Sequence, residues 1–282
     1  VSVAKMLAPF ADGLELNLSC PHAKGYGMAM GQDPRLVADI ISAVKESVSI
    51  PIVPKLTPNT DRIEAIASAA ASAGADALCA INTVGPGAHT SYGHDVLSNG
   101  LGGLSGKGVL AMAQKCIRAI RSVTDLPIIG CGGVSSRLEV LALKEAGAVI
   151  VGVGSALSGM TTRQMKSYFR DLADCSTSAQ IDPAEDQVQY DLDMRFKPVT
   201  LVETETVCED IVLLHFKERF EIEAGEFVFL WVPGVGEKPF SILLDNPLTL
   251  VAIDVGQFTH EIQSLPPGTE TYIRGPHGQP VE

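Results

Sequence analysis

The strongest constraint in the sequence is that short apolar runs alternate regularly with amphipathic stretches over its first 172 residues. The apolar runs predict buried strands at residues 14–18, 51–56, 77–82, 127–130 and 149–153. Helical periodicity between them predicts helices at residues 34–48, 61–73, 109–123 and 136–146. Strands that alternate with helices along a chain form a parallel sheet, so this region is predicted to be α/β.

Small polar residues and glycines follow the predicted strands at the points where the strands end. They are Asn17 to Cys20, Asn82 with Thr83, Gly132 with Gly133, and Gly154 with Ser155. A TIM barrel carries its chemistry at this end of its strands. Because a TIM (β/α)8 barrel has eight strands and five are predicted, we expect a partial TIM barrel whose other three strands precede Val1.

The pattern changes after residue 172. Residues 173–194 are polar and acidic without periodicity, which predicts a linker. Short alternating strands follow, at residues 199–205, 211–216, 226–232, 240–244, 248–253 and 270–273. This pattern is typical of a small antiparallel β-barrel, so the predicted domains are 1–172 and 195–282.

Composition excludes several classes of function. Residues 173–282 contain 20 of the 33 acidic residues and 6 of the 21 basic ones, which indicates a second module of different character. A net charge of −12 argues against nucleic-acid binding. The sequence has no run of about 18 apolar residues, so we expect no membrane span. Six cysteines without a C-x-x-C pair predict no metal site and a cytoplasmic location.

Cys20 lies in the segment Asn17-Leu18-Ser19-Cys20-Pro21-His22, at the end of the first predicted strand. A cysteine in this position is a nucleophile or a general base when a neighbour stabilises its thiolate. The alternative is a small buried apolar residue. The residues alone leave both interpretations open.

Two glycine-rich segments, 130–133 and 152–156, follow the last two predicted strands of the first module. This is the usual phosphate site of a TIM barrel, although tight packing also selects glycine. Lys55 lies inside an apolar run, so we expect it to be ion-paired or to face a polar ligand. Asn82 and Thr83 offer the neutral donors and acceptors that suit an amide-rich ring.

The segments NLSCPH, GQDP, PKLTPN, INT, GGLSG, GCGGV and GVGSA, in this order, resemble the class 1 dihydroorotate dehydrogenases and the related dihydropyrimidine dehydrogenases. The resemblance implies an FMN enzyme of pyrimidine biosynthesis that oxidises dihydroorotate to orotate. Cys20 would remove the ring proton while a hydride passes to FMN. The implied substrate-binding residues are Asn17, His22, Asn82 and Thr83. The implied FMN-binding residues are Asn17, Lys55, Ile81, Gly106, Gly132, Gly133, Gly154 and Ser155.

The second module resembles ferredoxin-reductase-type FAD domains. Lys238-Pro239-Phe240-Ser241 is similar to their R-x-[YFI]-S motif, with lysine in place of arginine. The resemblance implies the electron-transfer subunit of NAD-linked dihydroorotate dehydrogenases, fused behind the catalytic barrel. That subunit holds FAD, a [2Fe-2S] cluster and a nicotinamide segment. We expect the cluster and the NAD contact in a longer protein, and we expect a homo-oligomer.

Three alternatives remain. His22 stands where dihydroorotate dehydrogenases usually have asparagine, so the enzyme could instead be a dihydropyrimidine dehydrogenase acting on dihydrouracil or dihydrothymine. A second alternative is a non-catalytic flavin-binding module for electron transfer. A third is a phosphate-binding barrel of another pathway.

Overall fold

A computed structural model of the chain describes residues 1–19, 28–98, 100–173 and 195–278. The described residues form two compact units. The first contains residues 1–87, 103–158 and 165–173, and the second contains residues 88–102, 159–164 and 195–278. The linker at 173–194 lies, apart from residue 173, outside the described residues. The division into domains at 172 and 195 therefore stays a prediction.

The first unit is built on a five-stranded parallel sheet. Its strands are β1 (Leu14–Asn17), β2 (Ile52–Leu56), β3 (Leu78–Ala80), β8 (Ile128–Cys131) and β9 (Ile150–Gly152), paired in that order. The pairs are parallel throughout, which places the carboxyl ends of all five strands along one edge. The predicted parallel α/β fold is confirmed, and each of the five predicted strands is present.

Amphipathic helices cover one face of this sheet. They are α3 (Pro34–Lys45), α4 (Ile63–Ser72), α5 (Leu110–Arg121) and α6 (Arg137–Ala146), all four predicted from their periodicity. In α3, Val37, Ile41 and Val44 are buried at helical spacing. The α3 helix begins where the side chain of Asp33 accepts a hydrogen bond from the Arg35 amide at 2.8 Å.

The two faces of the sheet differ because side chains alternate along a strand. In β2, Ile52, Pro54 and Leu56 are buried, whereas Lys55 between them is only half-buried. Leu56 joins Leu78, Ala80 and Ile128 in the core against the helices. The polar side chains of β1 and β2 consequently lie on the face that the helices do not cover.

Several elements were not predicted from the sequence. Between β3 and α5 the chain forms two short ribbons, in which β4 (Val84–Ala88) pairs with β7 (Leu101–Leu104) and β5 (Thr90–Ser91) pairs with β6 (His94–Asp95). This glycine-rich segment lacks the alternation that marks a strand, so its pairing was not visible. The remaining helices are α1 (Ser2–Leu7), α2 (Met28–Gly31), α7 (Thr162–Ala173) and α8 (Gln257–Gln263).

The second unit contains a closed antiparallel barrel of six strands, as predicted. The strands are β10 (Lys197–Cys208), β11 (Ile211–Phe216), β12 (Phe227–Val232), β13 (Gly236–Asp245), β14 (Leu248–Ile253) and β15 (Glu270–His277), and their order around the barrel is β10-β11-β14-β13-β12-β15. Alternate residues point inward, so Val228, Leu230 and Leu250 are fully buried in one apolar core. No helix in the parts of the chain that the structure describes is long and apolar enough to span a bilayer.

We predict that Leu250→Ala destabilises the barrel by about 2–5 kcal/mol, because it opens a cavity in a closed core. Leu250 is 0% exposed. Leu243→Ala on the neighbouring strand is the matched control, since Leu243 is 52% exposed, and it should stay within about 0.5 kcal/mol of the original. Trp231, the single tryptophan of the chain, is buried in this unit and reports its denaturant unfolding by fluorescence. Equal losses for the two variants would contradict the assigned core.

Candidate active site

A row of polar and sulfur-containing side chains crosses the uncovered face of the parallel sheet. Asn17 of β1 pairs in register with Lys55 of β2, and Lys55 pairs with Cys79 of β3. Residues paired in register point to the same face. Cys131 at the end of β8 completes the row, because its sulfur lies 3.7 Å from that of Cys79. Strand pairing thus brings together four side chains that are far apart in the sequence.

Two side-chain amides meet at the end of this row. Asn82 donates from Nδ2 to Asn17 Oδ1 at 3.0 Å, and the Ser19 amide donates to the same oxygen at 3.2 Å. The Thr83 amide donates to Asn82 Oδ1 at 2.8 Å. The predicted substrate residues Asn17, Asn82 and Thr83 therefore form one connected cluster. The hydroxyl of Ser19 is buried and finds no hydrogen-bond partner among the described residues, which leaves a polar atom at the site for a ligand or water.

Asn59 holds the loop after β3 in place, a role that was missed from the sequence. Its Nδ2 donates to the Thr83 carbonyl at 3.0 Å, and its Oδ1 accepts from the Gly85 amide at 2.8 Å. Asn59 belongs to the segment PKLTPN, where an asparagine in a loop is itself a signal for hydrogen bonds to backbone. The contact partner could not be predicted because it lies 24 residues away.

Lys55 carries the positive charge of the site. Its Nζ lies 3.2 Å from Glu15 Oε1, and its side chain is 25% exposed. Burial by itself would lower the pKa of Lys55, but Cys79, Cys131 and Glu15 together raise it above its ordinary value. The ammonium is therefore kept charged on the uncovered face. Glu15 was not predicted, because the whole first strand was interpreted as buried.

The two cysteines of the row differ in environment. Cys79 is fully buried, whereas Cys131 is partly exposed. The hydrogen bond between the two sulfurs, with smaller contributions from Lys55 and the Gly152 amide, lowers the pKa of Cys131 below its ordinary value in spite of burial. That hydrogen bond and burial raise the pKa of Cys79. Neither cysteine stands out in the sequence, so their pairing is a finding of the structure.

Several of the predicted FMN residues lie close to one another in pairs. A side chain added at Gly132 would approach Ile81 to 3.1 Å, and one added at Gly106 would lie 3.7 Å from the Ser155 hydroxyl. Gly133 has a φ of +84° and abuts the Leu110 backbone, so glycine is required there by packing. An added Cβ at Gly154 would meet nothing within 4 Å. The backbone at Gly154 is thus open to a ligand.

Two predicted residues, Cys20 and His22, lie outside the described residues. Lys238, Pro239, Phe240 and Ser241 lie in the second unit, where they line a cleft of about 1140 Å³ formed by β13, β14 and the segment 255–259. We call this the barrel cleft. Among the residues that the structure describes, no group of three or more His, Cys, Asp or Glu is placed to hold a metal ion.

Comparison with known proteins identifies the class. Residues 1–173 match the model of the dihydroorotate dehydrogenase family, so the chain belongs to this family. One similar protein is the dihydroorotate dehydrogenase B (NAD(+)) catalytic subunit of Methanosarcina acetivorans, 50% identical over 157 residues that cover 55% of this chain and 50% of the relative. The subunit of the same name from Pyrococcus horikoshii is 44% identical over 156 residues, with coverage of 55% and 52%.

The chain spans about half the length of the curated relatives that it matches. A crystal structure of DHODH from Eimeria tenella is also similar, with 25% identity and a TM-score of 0.48, covering 60% of this chain and 51% of that one. The relatives are named as dehydrogenases, which are oxidoreductases.

We predict that Asn59→Ala exposes the loop after β3 to solvent. Loss of the Oδ1 acceptor should raise the hydrogen-exchange rate of the Gly85 amide roughly 5- to 150-fold, which corresponds to about 1–3 kcal/mol for a broken buried hydrogen bond. Thr60→Ala is the local control, since Thr60 Oγ1 accepts an exposed hydrogen bond from the Arg62 amide. Exchange mass spectrometry of the peptide around Gly85 measures both. Unchanged exchange in Asn59→Ala would show that Asn59 does not hold the loop.

Proposed function

We propose that the protein oxidises dihydroorotate to orotate with FMN, in the synthesis of pyrimidine nucleotides. The observation that carries this proposal is the amide cluster of Asn17 and Asn82 beside the Lys55 ammonium, at the carboxyl edge of the sheet. A dihydropyrimidine ring presents alternating N–H and C=O groups, and carboxamides complement both. The family of residues 1–173 supports the same reaction.

The residues of the chain have separate roles in binding the substrate and in removing its proton. Asn17, Asn82 and Thr83 orient the ring, with His22 as a further donor. Cys20, three residues after Asn17, takes the ring proton as a general base. A free thiol has a pKa of about 8.5, so Cys20 needs a stabilising neighbour or a higher pH to act as thiolate. Orienting the ring against a fixed base raises the rate, because it replaces a bimolecular encounter with a prearranged one.

The residues around the sheet edge fit FMN. Lys55 would hold the flavin ring and supply a positive charge that stabilises negative charge on it. Gly132 and Ile81 lie together, Gly106 lies beside Ser155, and the open backbone at Gly154 suits a phosphate. Gly133 is the remaining residue that we propose to bind FMN. FMN, when bound, supplies the hydride acceptor.

The proposal is tested by anaerobic bleaching of the flavin absorbance. The protein is mixed with dihydroorotate and, separately, with dihydrouracil. We expect dihydroorotate alone to bleach the flavin. Bleaching by dihydrouracil alone would assign the protein to the dihydropyrimidine dehydrogenases, the second candidate that His22 suggests, and would overturn the proposal.

In the same assay, Cys20→Ala should slow bleaching by about 10²- to 10⁴-fold, the usual contribution of a general base. FMN content should not change, because Cys20 acts on the substrate. Cys116→Ala is the matched control, since Cys116 is a buried cysteine of α5 and should leave the rate within a few-fold. A Cys20→Ala variant that bleaches at the original rate would remove Cys20 from the mechanism.

We further propose that the barrel cleft binds FAD and that electrons leave the FMN site through FAD and a [2Fe-2S] cluster to NAD. The cleft volume of about 1140 Å³ exceeds the roughly 300–1,000 Å³ typical of small-ligand pockets, so a dinucleotide can fit. Lys238 is exposed at the cleft, where its charge can reach a phosphate. The relatives' name, which includes NAD(+), supports this acceptor.

The FAD proposal predicts that two substitutions of Lys238 differ in their effect on FAD binding. Lys238→Ala should weaken FAD binding by about 1.5–3 kcal/mol, which is the usual contribution of a hydrogen bond to a charged group. Lys238→Arg should bind FAD at least as tightly, because a guanidinium grips phosphate with two hydrogen bonds. Lys217→Ala, an exposed lysine after β11 and outside the cleft, is the control. Quenching of FAD fluorescence measures the affinity, and equal affinities for all variants would exclude the cleft.

The proposed organisation follows from these sites. Residues 1–172 form the FMN-binding catalytic domain, and residues 195–282 form the FAD domain. Residues 173–194 are the linker between these two domains. We also propose that the protein works in the cytoplasm as a homo-oligomer.

A further inference from the structure

We propose that Tyr92 is a positioning residue for the substrate site, because it fastens the segment that supports Thr83 to the outside of the barrel. Residues 88–102, which we call the strap, lie in the sequence between Thr83 and the predicted FMN residue Gly106, yet they belong to the second unit. The inference deepens the function proposed above, on which its substrate part rests. It gives a role to side chains that the proposed mechanism does not use.

The tip of the strap is held on the barrel by Tyr92. Its ring stacks on that of Tyr272 in β15, with the centroids 4.8 Å apart and the planes inclined by 23°. The Tyr92 hydroxyl donates to the Phe196 carbonyl at 2.8 Å. Tyr272 is a firm support, since it is 1% exposed and its own hydroxyl donates to Glu270 at 2.6 Å. Ser98 of the strap also lines the barrel cleft, so the strap meets the barrel at two places.

The turn at the tip of the strap disfavours tyrosine, which points to a role for the ring outside the turn. Ser91 pairs with His94, so Tyr92 and Gly93 form a two-residue turn between β5 and β6. Their φ angles are +50° and +79°. Asparagine followed by glycine is the usual sequence of such a turn, because other side chains crowd the backbone at positive φ. Among the residues that the structure describes, Tyr92 is the only non-glycine residue with a positive φ. Such strain persists where surrounding contacts offset it.

The other end of the strap supports Thr83. Gly103, the residue after the strap, lies directly against the Thr83 side chain, and a Cβ at Gly103 would overlap it. His89 of the strap donates from Nε2 to the Gly102 carbonyl at 3.2 Å, and the His89 carbonyl accepts from the Val96 amide at 2.8 Å. These hydrogen bonds join the hairpin of β5 and β6 to β7. Movement of the hairpin is therefore passed to the backbone that packs against Thr83.

The structural part of the proposal is tested by hydrogen exchange of the peptide around Thr83. Tyr92→Asn suits the turn but removes the ring, so exchange should become about 2- to 13-fold faster, the range that loss of one aromatic pair gives. Tyr92→Phe keeps the stacked ring and should lie between Tyr92→Asn and the original. Because Tyr92 is 56% exposed, neither substitution opens a cavity in the core.

Ser91→Ala is the local control for this experiment, because Ser91 pairs with His94 in the same hairpin. It should exchange at the original rate. A role of Tyr92 in the turn alone predicts the opposite result for Tyr92→Asn, since asparagine improves the turn. Exchange at Thr83 that is unchanged or slower in Tyr92→Asn would overturn the proposal.

Flavin bleaching at a series of dihydroorotate concentrations tests the substrate part. In Tyr92→Asn, the half-saturating concentration should rise about 2- to 13-fold. The limiting rate should stay within about twofold, because loss of uniform binding leaves the chemical step unchanged. An unchanged half-saturating concentration would overturn the proposal. If the original protein does not oxidise dihydroorotate, the proposed function fails, and exchange at Thr83 still decides the role of Tyr92.

Discussion

The register of the parallel strands is the constraint on which the first unit depends. Asn17, Lys55 and Cys79 face the same way because β1, β2 and β3 pair at these residues. A shift of one residue in any strand would move its polar side chain into the helix-covered core and an apolar one out of it. The apolar residues that alternate with them, such as Ile52 and Leu56, therefore fix the register by their burial. This row of polar side chains is a consequence of core packing.

A charged lysine is stable in this row because its neighbours balance it. Glu15, two residues before Asn17 on β1, supplies the opposite charge at the next position on the same face. Because Lys55 is only half-buried, the cost of removing its charge from water is small enough for one carboxylate to offset. The ion pair and the flavin interpretation of Lys55 are compatible. A paired lysine is held in position and still presents charge to a ligand.

Much of the fold could be predicted because each element carries its own periodicity. The five strands of the parallel sheet, the six strands of the barrel and the four covering helices follow from apolar spacing alone. The ribbons between residues 84 and 104 could not be predicted, since their pairing depends on backbone partners elsewhere in the segment. Glu15 was predictable in principle, because Leu14-Glu15-Leu16-Asn17 alternates with the period of a half-covered strand. The interpretation of this strand as buried on both faces is the reason why Glu15 was not predicted to face solvent.

The cysteine pair shows why site chemistry is harder to predict than fold. Cys79 and Cys131 each look like a small apolar residue within an apolar run, and neither has a cysteine near it in the sequence. Their proximity depends on β3 lying beside β8, with the chain of β4 to β7 and α5 passing between them. Strand order decides which side chains meet, and local periodicity does not encode it. A sequence can therefore specify each strand clearly while the chemistry that two strands create together stays visible only in the assembled sheet.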